Sequence, residues 1–167
     1  ISLFLKAGIV LSEGDTVSLT EQERFSLRQD IIKKFQGPAE SLLSLLPDEY
    51  LIETENAEIL KDLEILRAEE PRIDIDQQGE NIRIKFFGQD QEGILSRMVA
   101  ALSLSRLDIG EARVYTLKNG MILNYFFCRP LDAGRVLSLP DQNDIRREIH
   151  ACLKGADFEK LKKSFHN

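Results

Sequence analysis

The spacing of apolar residues divides the chain near Pro71. Before it they recur at helical intervals, after it mostly at every second position. Thr20-Glu-Gln-Glu23 is a capping box, with Thr20 as N-cap and Glu23 three positions on, and Leu27, Ile31, Ile32 and Phe35 follow as a helical stripe. Gly37-Pro38 ends that helix, and Pro38 can open the next, whose face is Ala39, Leu42, Leu43 and Leu46 and whose stop is Pro47. Tyr50-Leu-Ile52 reads as a bridge to a third helix over 55–68, with Ile59, Leu60, Leu63 and Leu66 inward. Its other side (Glu58, Lys61, Asp62, Glu64) predicts a solvated charged surface.

Beyond Pro71, Arg72-Ile-Asp-Ile-Asp76 and Asn81-Ile-Arg-Ile-Lys-Phe-Phe87 alternate around a Gln-Gly turn, which predicts a hairpin with one apolar face. A helix over 91–104 follows, with Ile94, Leu95, Met98 and Leu102 as its stripe. Strands over 107–116 and 121–128 flank Asn119-Gly120, a strong hairpin signal because both residues tolerate positive φ. Arg129-Pro130 should end the second strand. A polar loop runs from Gly134 to Pro140, and a last helix over 141–153 carries Ile145, Ile149 and Leu153 until Gly155 stops it. Residues 156–167 form a basic, helix-prone tail. The order strand, strand, helix, strand, strand, helix predicts an α+β fold: a ferredoxin-like two-layer sandwich with a four-stranded antiparallel sheet, preceded by a small helical segment. The link from the Ile82 strand through the helix to the next strand should be a right-handed parallel crossover. The expected divisions are a helical linker at 1–70, a sheet domain at 71–155 and the tail at 156–167.

The stretch from Phe86 to Met98 draws attention because a strand empties through Gly88 and a polar turn onto a helix. Asp90 stands where an N-cap belongs, and Gly93 falls in the first turn. Unpaired N–H groups and the positive end of the helix dipole make such a turn able to hold a small anionic group. The plain alternative is a capped connection with no ligand.

Composition narrows the functions. The 167 residues suffice for one domain with a sound core or two small ones, and a net charge of −6 argues against nucleic-acid or anionic-membrane partners. Two cysteines, Cys128 in an apolar strand and Cys152 in a helical pattern, read as small buried hydrophobes and predict a reducing, cytoplasmic setting without disulfides. The apolar stretch 1–11 is too short to span a bilayer and lacks the flanks of a signal peptide. A chain beginning at Ile1 rather than Met suggests a piece of something longer. His150 and His166 have no ligand set at metal spacing, Cys128 has no neighbouring cation to activate it, and the glycines make neither a dinucleotide nor a P-loop pattern. No catalytic constellation, metal site or cofactor is therefore expected. Aromatic residues (Phe86, Phe87, Tyr125, Phe126, Phe127) fall on both faces of the sheet, so the second face needs a cover: the N-terminal helices, a second unit or a second chain.

The strand, Asp90-Gln-Glu-Gly93, helix, strand, Asn119-Gly120 order resembles the ACT domain, a family of small regulatory modules, over residues 81–155. Ile84-Lys-Phe-Phe-Gly-Gln-Asp-Gln-Glu-Gly-Ile-Leu is similar to the family's strand and ligand loop, Asp-Arg-Pro-Gly-Leu. Leu107-Asp-Ile-Gly-Glu-Ala-Arg-Val-Tyr-Thr-Leu-Lys-Asn-Gly is similar to its Leu-Asn-Ile … Ala-Arg-Ile … Thr … Asp-Gly run, especially as found in the ACT region of bacterial protein-PII uridylyltransferases. Leu46-Pro-Asp-Glu-Tyr-Leu51 looks like the linker before the first ACT unit there, and the regulatory region of large NAD-dependent glutamate dehydrogenases is a rival parent. The resemblance implies a non-catalytic module that senses a small metabolite such as an amino acid (glutamine among them) and controls an attached enzyme of nitrogen metabolism. It places the ligand at Gln89, Asp90, Gln91, Glu92, Gly93 and Ile94, with Asn124 as a polar residue in mid-strand. It implies pairing with a second copy or a neighbouring ACT unit through the sheet. The chain departs from the pattern at Glu92, where the family usually has Pro; the added charge suits the helix dipole, opposes a ligand carboxylate and can attract an ammonium. A second ACT unit and the nucleotidyltransferase and His-Asp hydrolase motifs of the uridylyltransferase are absent from these 167 residues. The alternative is a ligand-free interaction module.

Overall fold

The computed structural model describes residues 10–11 and 19–153. In chain order its elements are β1 (Val10–Leu11), α1 (Glu21–Lys34), α2 (Ala39–Leu43), α3 (Asp48–Glu53), α4 (Asn56–Ala68), β2 (Arg72–Gln78), β3 (Asn81–Gln89), α5 (Ile94–Leu104), β4 (Leu107–Thr116), β5 (Met121–Pro130) and α6 (Leu139–Leu153). Four of the strands make the expected antiparallel sheet, in the order β4-β5-β3-β2. β3 and β4 both pair antiparallel with β5, so they run parallel to one another, as a crossover through α5 requires. β2 occupies the edge beside β3, supplied before the crossover. The fold is α+β, with the layered sheet-and-helix plan of a ferredoxin-like sandwich.

Local chemistry sets most of the boundaries. Thr20 accepts from the Glu23 amide at 3.1 Å while Glu23 accepts from the Thr20 amide at 3.1 Å, which completes the capping box of α1. Gly120 takes φ +83° in the β4–β5 turn, where Asn119 Oδ1 accepts from the Met121 amide. Ser138 and Asp141 exchange backbone-to-side-chain bonds at 3.0 and 3.2 Å, so α6 begins two residues earlier than the apolar spacing predicts. Three other expectations are corrected. The bridge at Tyr50 is itself a short helix, α3; β5 runs on to Pro130; and Val10–Leu11 pairs parallel with Glu111–Ala112 as a fifth strand. The tail at 156–167, Gly155 and His166 lie outside the described residues.

The sheet has a core on each face. On one, Ile73, Ile75, Ile82, Ile84, Phe86 and Phe126 pack with Met98, Ala101 and Leu102 of α5 and Ile145 and Ile149 of α6. On the other, Phe87, Tyr115, Leu123 and Tyr125 pack with Leu43, Tyr50, Ile59, Leu63 and Leu66 from the N-terminal helices. These helices are the cover that the second aromatic face requires, and they add a third layer to the sandwich. A contact through that part of the sheet face is closed to a second copy while they are in place; the edge at β2 is not.

Candidate functional site

At the end of β3 the chain turns under tight steric control. A Cβ on Gly88 would lie 2.7 Å from Phe86 Cζ, and the Phe86 ring is itself buried, so only glycine fits there. Gln89, Asp90, Gln91, Glu92 and Gly93 are exposed, and Ile94 is buried in the core beneath α5. The helix starts at Ile94, not at Gln91. Its N-cap is Gly93, in the left-handed region at φ +73°, with no side-chain cap. Asp90 is therefore not the N-cap: its amide donates to Gly120 O at 3.3 Å, which ties the loop to the β4–β5 turn. The Ile94 amide is committed to Gln91 O at 3.1 Å, so it is not free for a ligand, while among the described residues the amides of the exposed Gln91, Glu92 and Gly93 have no backbone acceptor.

Asn124 sits mid-way along β5, opposite Phe86 on β3 and Val114 on β4. Strand alternation places it on the α5/α6 face with Ile122 and Phe126. It is wholly buried, and neither its Nδ2 nor its Oδ1 has a hydrogen-bond partner. A buried carboxamide ordinarily has its donors and acceptor satisfied, so this one is an exception that calls for a reason. β3 leaves the sheet opposite Met121, three residues along β5 from Asn124.

On the opposite face lies a polar cluster that the helical spacing conceals. Asp62 of α4 is wholly buried and Lys85 of β3 nearly so. Lys85 Nζ donates to Asp62 Oδ1 at 2.6 Å and to Glu58 Oε1 at 2.5 Å. The Tyr50 and Tyr125 hydroxyls both donate to Asp62 Oδ2. Glu58 continues the chain of charges to Arg83 at 3.2 Å, and Arg83 to Asp76 at 2.9 Å. Burial first and the Asp62 carboxylate second push both tyrosine hydroxyls well above their usual range, so they stay protonated donors. Glu58 is held below the usual carboxylate value: its burial acts the other way, but the Lys85 and Arg83 charges outweigh it. The expected solvated face of α4 is thus half wrong. Lys61 and Glu64 are exposed, but Asp62 and Glu58 are turned onto the sheet, because Lys85 points out of β3 toward them. The available signal was that Lys85 alternates onto the same strand face as Phe87, an aromatic that itself needs a cover.

This arrangement holds α4 to β3 and β5 by ionic and hydroxyl contacts with no exposed nucleophile or unpaired base among them. Cys128 is buried and its thiol is pushed up to about 12, by burial first and Asp108 second, which removes it as a nucleophile. Among the described residues no group of three or more His, Cys, Asp and Glu side chains is placed to hold a metal ion, and no helix is long and apolar enough to cross a membrane.

A bifunctional uridylyltransferase/uridylyl-removing enzyme of Ruegeria pomeroyi is 32% identical to this chain over 107 residues, 58% of the chain and 12% of the enzyme. The similarity is partial. The chain spans about an eighth of that relative, so it is similar to one part of a much larger protein. No family model matches the chain, and no solved structure does. With the sheet order, this supports an ACT-like domain at the level of the superfamily, and a small α+β unit similar to part of a nucleotidyltransferase-associated protein.

Proposed function

We propose that the chain is a non-catalytic regulatory module whose sheet senses a small amphoteric metabolite, an amino acid with glutamine as the first candidate, on behalf of an attached enzyme. In this reading 71–155 form the sensing unit, and the helices between Glu21 and Ala68 form a collar that reports on it. The observation that carries it is the unpartnered, wholly buried carboxamide of Asn124 in the central strand that faces α5. A carboxamide offers both donor and acceptor, the complement of another carboxamide. The loop at Gln89–Gly93 adds free amides at the surface, and its Asp90 and Glu92 can receive an ammonium. Ile94 contributes a buried side chain and no amide. The partial similarity to the uridylyltransferase/uridylyl-removing enzyme favours an attached uridylyltransferase-like enzyme of nitrogen metabolism over a glutamate dehydrogenase. Binding at the loop would shift the balance between packings of the loop, α5 and a neighbouring unit, the latter meeting the sheet through its open edge.

Isothermal titration with a panel of amino acids tests the reading. Heat from one or a few of them, lost in Asn124→Leu, is the expected result. No heat from any, with the chain folded and self-associated, would leave pure assembly as its role.

A further inference from the structure

The sheet carries a concavity on the face opposite Asn124. Beyond the reach of α4 the outer face of the sheet opens into a groove of about 780 Å³, within the range of small-molecule sites. Its floor includes Phe127, and its sides carry Glu58 and Lys61 from α4, Asp76 from β2, Arg83 from β3, and Asp108 and Arg129 at the far end.

A β-bulge shapes that end. The register of β4 on β5 slips between Ile109 and Glu111, leaving Gly110 as the extra residue. Alternation shifts by one there, so Asp108 and Glu111 share the outer face although they are three residues apart, while Ile109 and Ala112 both enter the core. Asp108 is the cross-strand partner of Arg129, and Glu111 of Phe127.

Most of the charges around the groove are already committed. Arg83 lies between Glu58 and Asp76, Lys61 leans toward Glu58 at 3.9 Å, and Glu111 holds Arg113 at 2.8 Å, whose guanidinium stands 5.0 Å from the Phe127 ring centroid. Asp108 and Arg129 are different. Both are exposed, they are neighbours across the ladder, and among the described residues neither is engaged in an ion pair or side-chain hydrogen bond. One free carboxylate, one free guanidinium and an aromatic floor between committed charges form a receptor for opposite charges on one small molecule. A phosphorylated ligand would meet Glu58, Asp76, Asp108 and Glu111 together, and a bare cation would meet Arg83 and Arg129. A zwitterion satisfies both ends.

We infer that this groove binds a small zwitterion, its ammonium on Asp108, its carboxylate on Arg129 and its apolar part on Phe127. The site is separate from the loop at Gln89–Gly93 and does not rest on it. Because Glu58 and Lys61 form its wall, occupancy would bear on the seating of α4 over Lys85 and so couple the ligand to the helical collar.

Titration of the isotopically labelled chain with L-phenylalanine, followed by amide NMR, tests the site. Expected are saturable shifts at Asp108, Gly110 and Phe127. N-acetyl-L-phenylalanine and L-phenylalanine methyl ester, each lacking one charge, should bind about tenfold or more weakly, as should Asp108→Asn and Arg129→Gln. The double exchange Asp108→Arg with Arg129→Asp should recover part of the affinity with the ligand reversed. Equal binding of the blocked forms, or no shift at these residues at millimolar ligand, would overturn the inference. Shifts confined to residues 89–94 would remove this site and uphold the loop. Shifts confined to the groove would do the reverse.

Discussion

The Lys85 ammonium lies 2.6 Å from the Asp62 carboxylate, between a strand and a helix, where neither residue is open to water. Lys85 also has Glu58, and Asp62 has two tyrosine hydroxyls, so every strong group in the cluster has at least one partner besides the other. A buried pair of this kind contributes less to net stability than its geometry suggests, because both charges have left water. The contacts it makes favour the seating of α4 that sets Asp62 and Glu58 over Lys85.

Removing Asp62 leaves Lys85 buried with Glu58 alone and two hydroxyls without acceptors. Asp62→Ala should cost about 3–5 kcal/mol in urea unfolding. Lys85→Met leaves Asp62 with both tyrosines and should cost less. The double variant Asp62→Leu with Lys85→Met should be more stable than the sum of the single losses, and strict additivity would deny that the two residues act as a pair.

The tyrosines set an alkaline limit. Their folded values lie above the ordinary value of 10, so the unfolded chain releases these protons first. The stability they contribute is present below about pH 10 and is lost as pH rises beyond it. Tyrosinate absorbance from Tyr50 and Tyr125 should appear only together with loss of the circular-dichroism signal. Ionisation ahead of unfolding would contradict their burial.

Glu58 works at the other end. Its folded value is depressed below 4.5, so its contribution is intact above that pH and declines as pH falls through the folded value. Glu58→Gln should be less stable than the parent near neutrality, with a shallower loss on acidification. Parallel acid-unfolding curves for the two proteins would show that Glu58 is not the group responsible.

The two loop glycines should respond differently. Gly88→Ala forces the buried Phe86 ring to move and should cost about 1–3 kcal/mol through overpacking. Gly93→Ala meets no neighbouring atom, and only its left-handed backbone resists, at about 1–2 kcal/mol. Gly93→Asn should recover part of that loss, whereas Gly88→Asn should not. Thermal unfolding of the four variants decides it.

Under the proposed function, Asn124 sets stability against ligand binding. Asn124→Leu removes a buried amide that has no partner, and should be neutral or stabilising by up to about 1–3 kcal/mol. Substantial destabilisation would mean that the amide is satisfied in solution.

Much of this molecule was legible in its residues. Period-two spacing placed β2 to β5, Asn119-Gly120 placed the second hairpin, and Thr20 with Glu23 placed the start of α1, because each depends on contacts within a few residues. The turn between β3 and α5 lies where the spacing puts it, but its cap is Gly93 and not Asp90. Asp90 has suitable chemistry, yet its amide is drawn to Gly120 O across the sheet, and the helix waits for Gly93.

What only the tertiary structure decided is which polar residues are buried. Asp62 occupies the side of a helix that faces water by its spacing, and Lys85 alternates as an outward strand residue. Each becomes internal because α1 to α4 close over the second face of the sheet. Asn124 likewise reads as one polar residue in an apolar strand, and only the packing of both neighbouring strands and α5 leaves it without a partner. Local spacing fixes the direction in which a side chain leaves the backbone. What it meets there depends on elements far away along the chain, and the energy of a charge or an amide depends on that meeting.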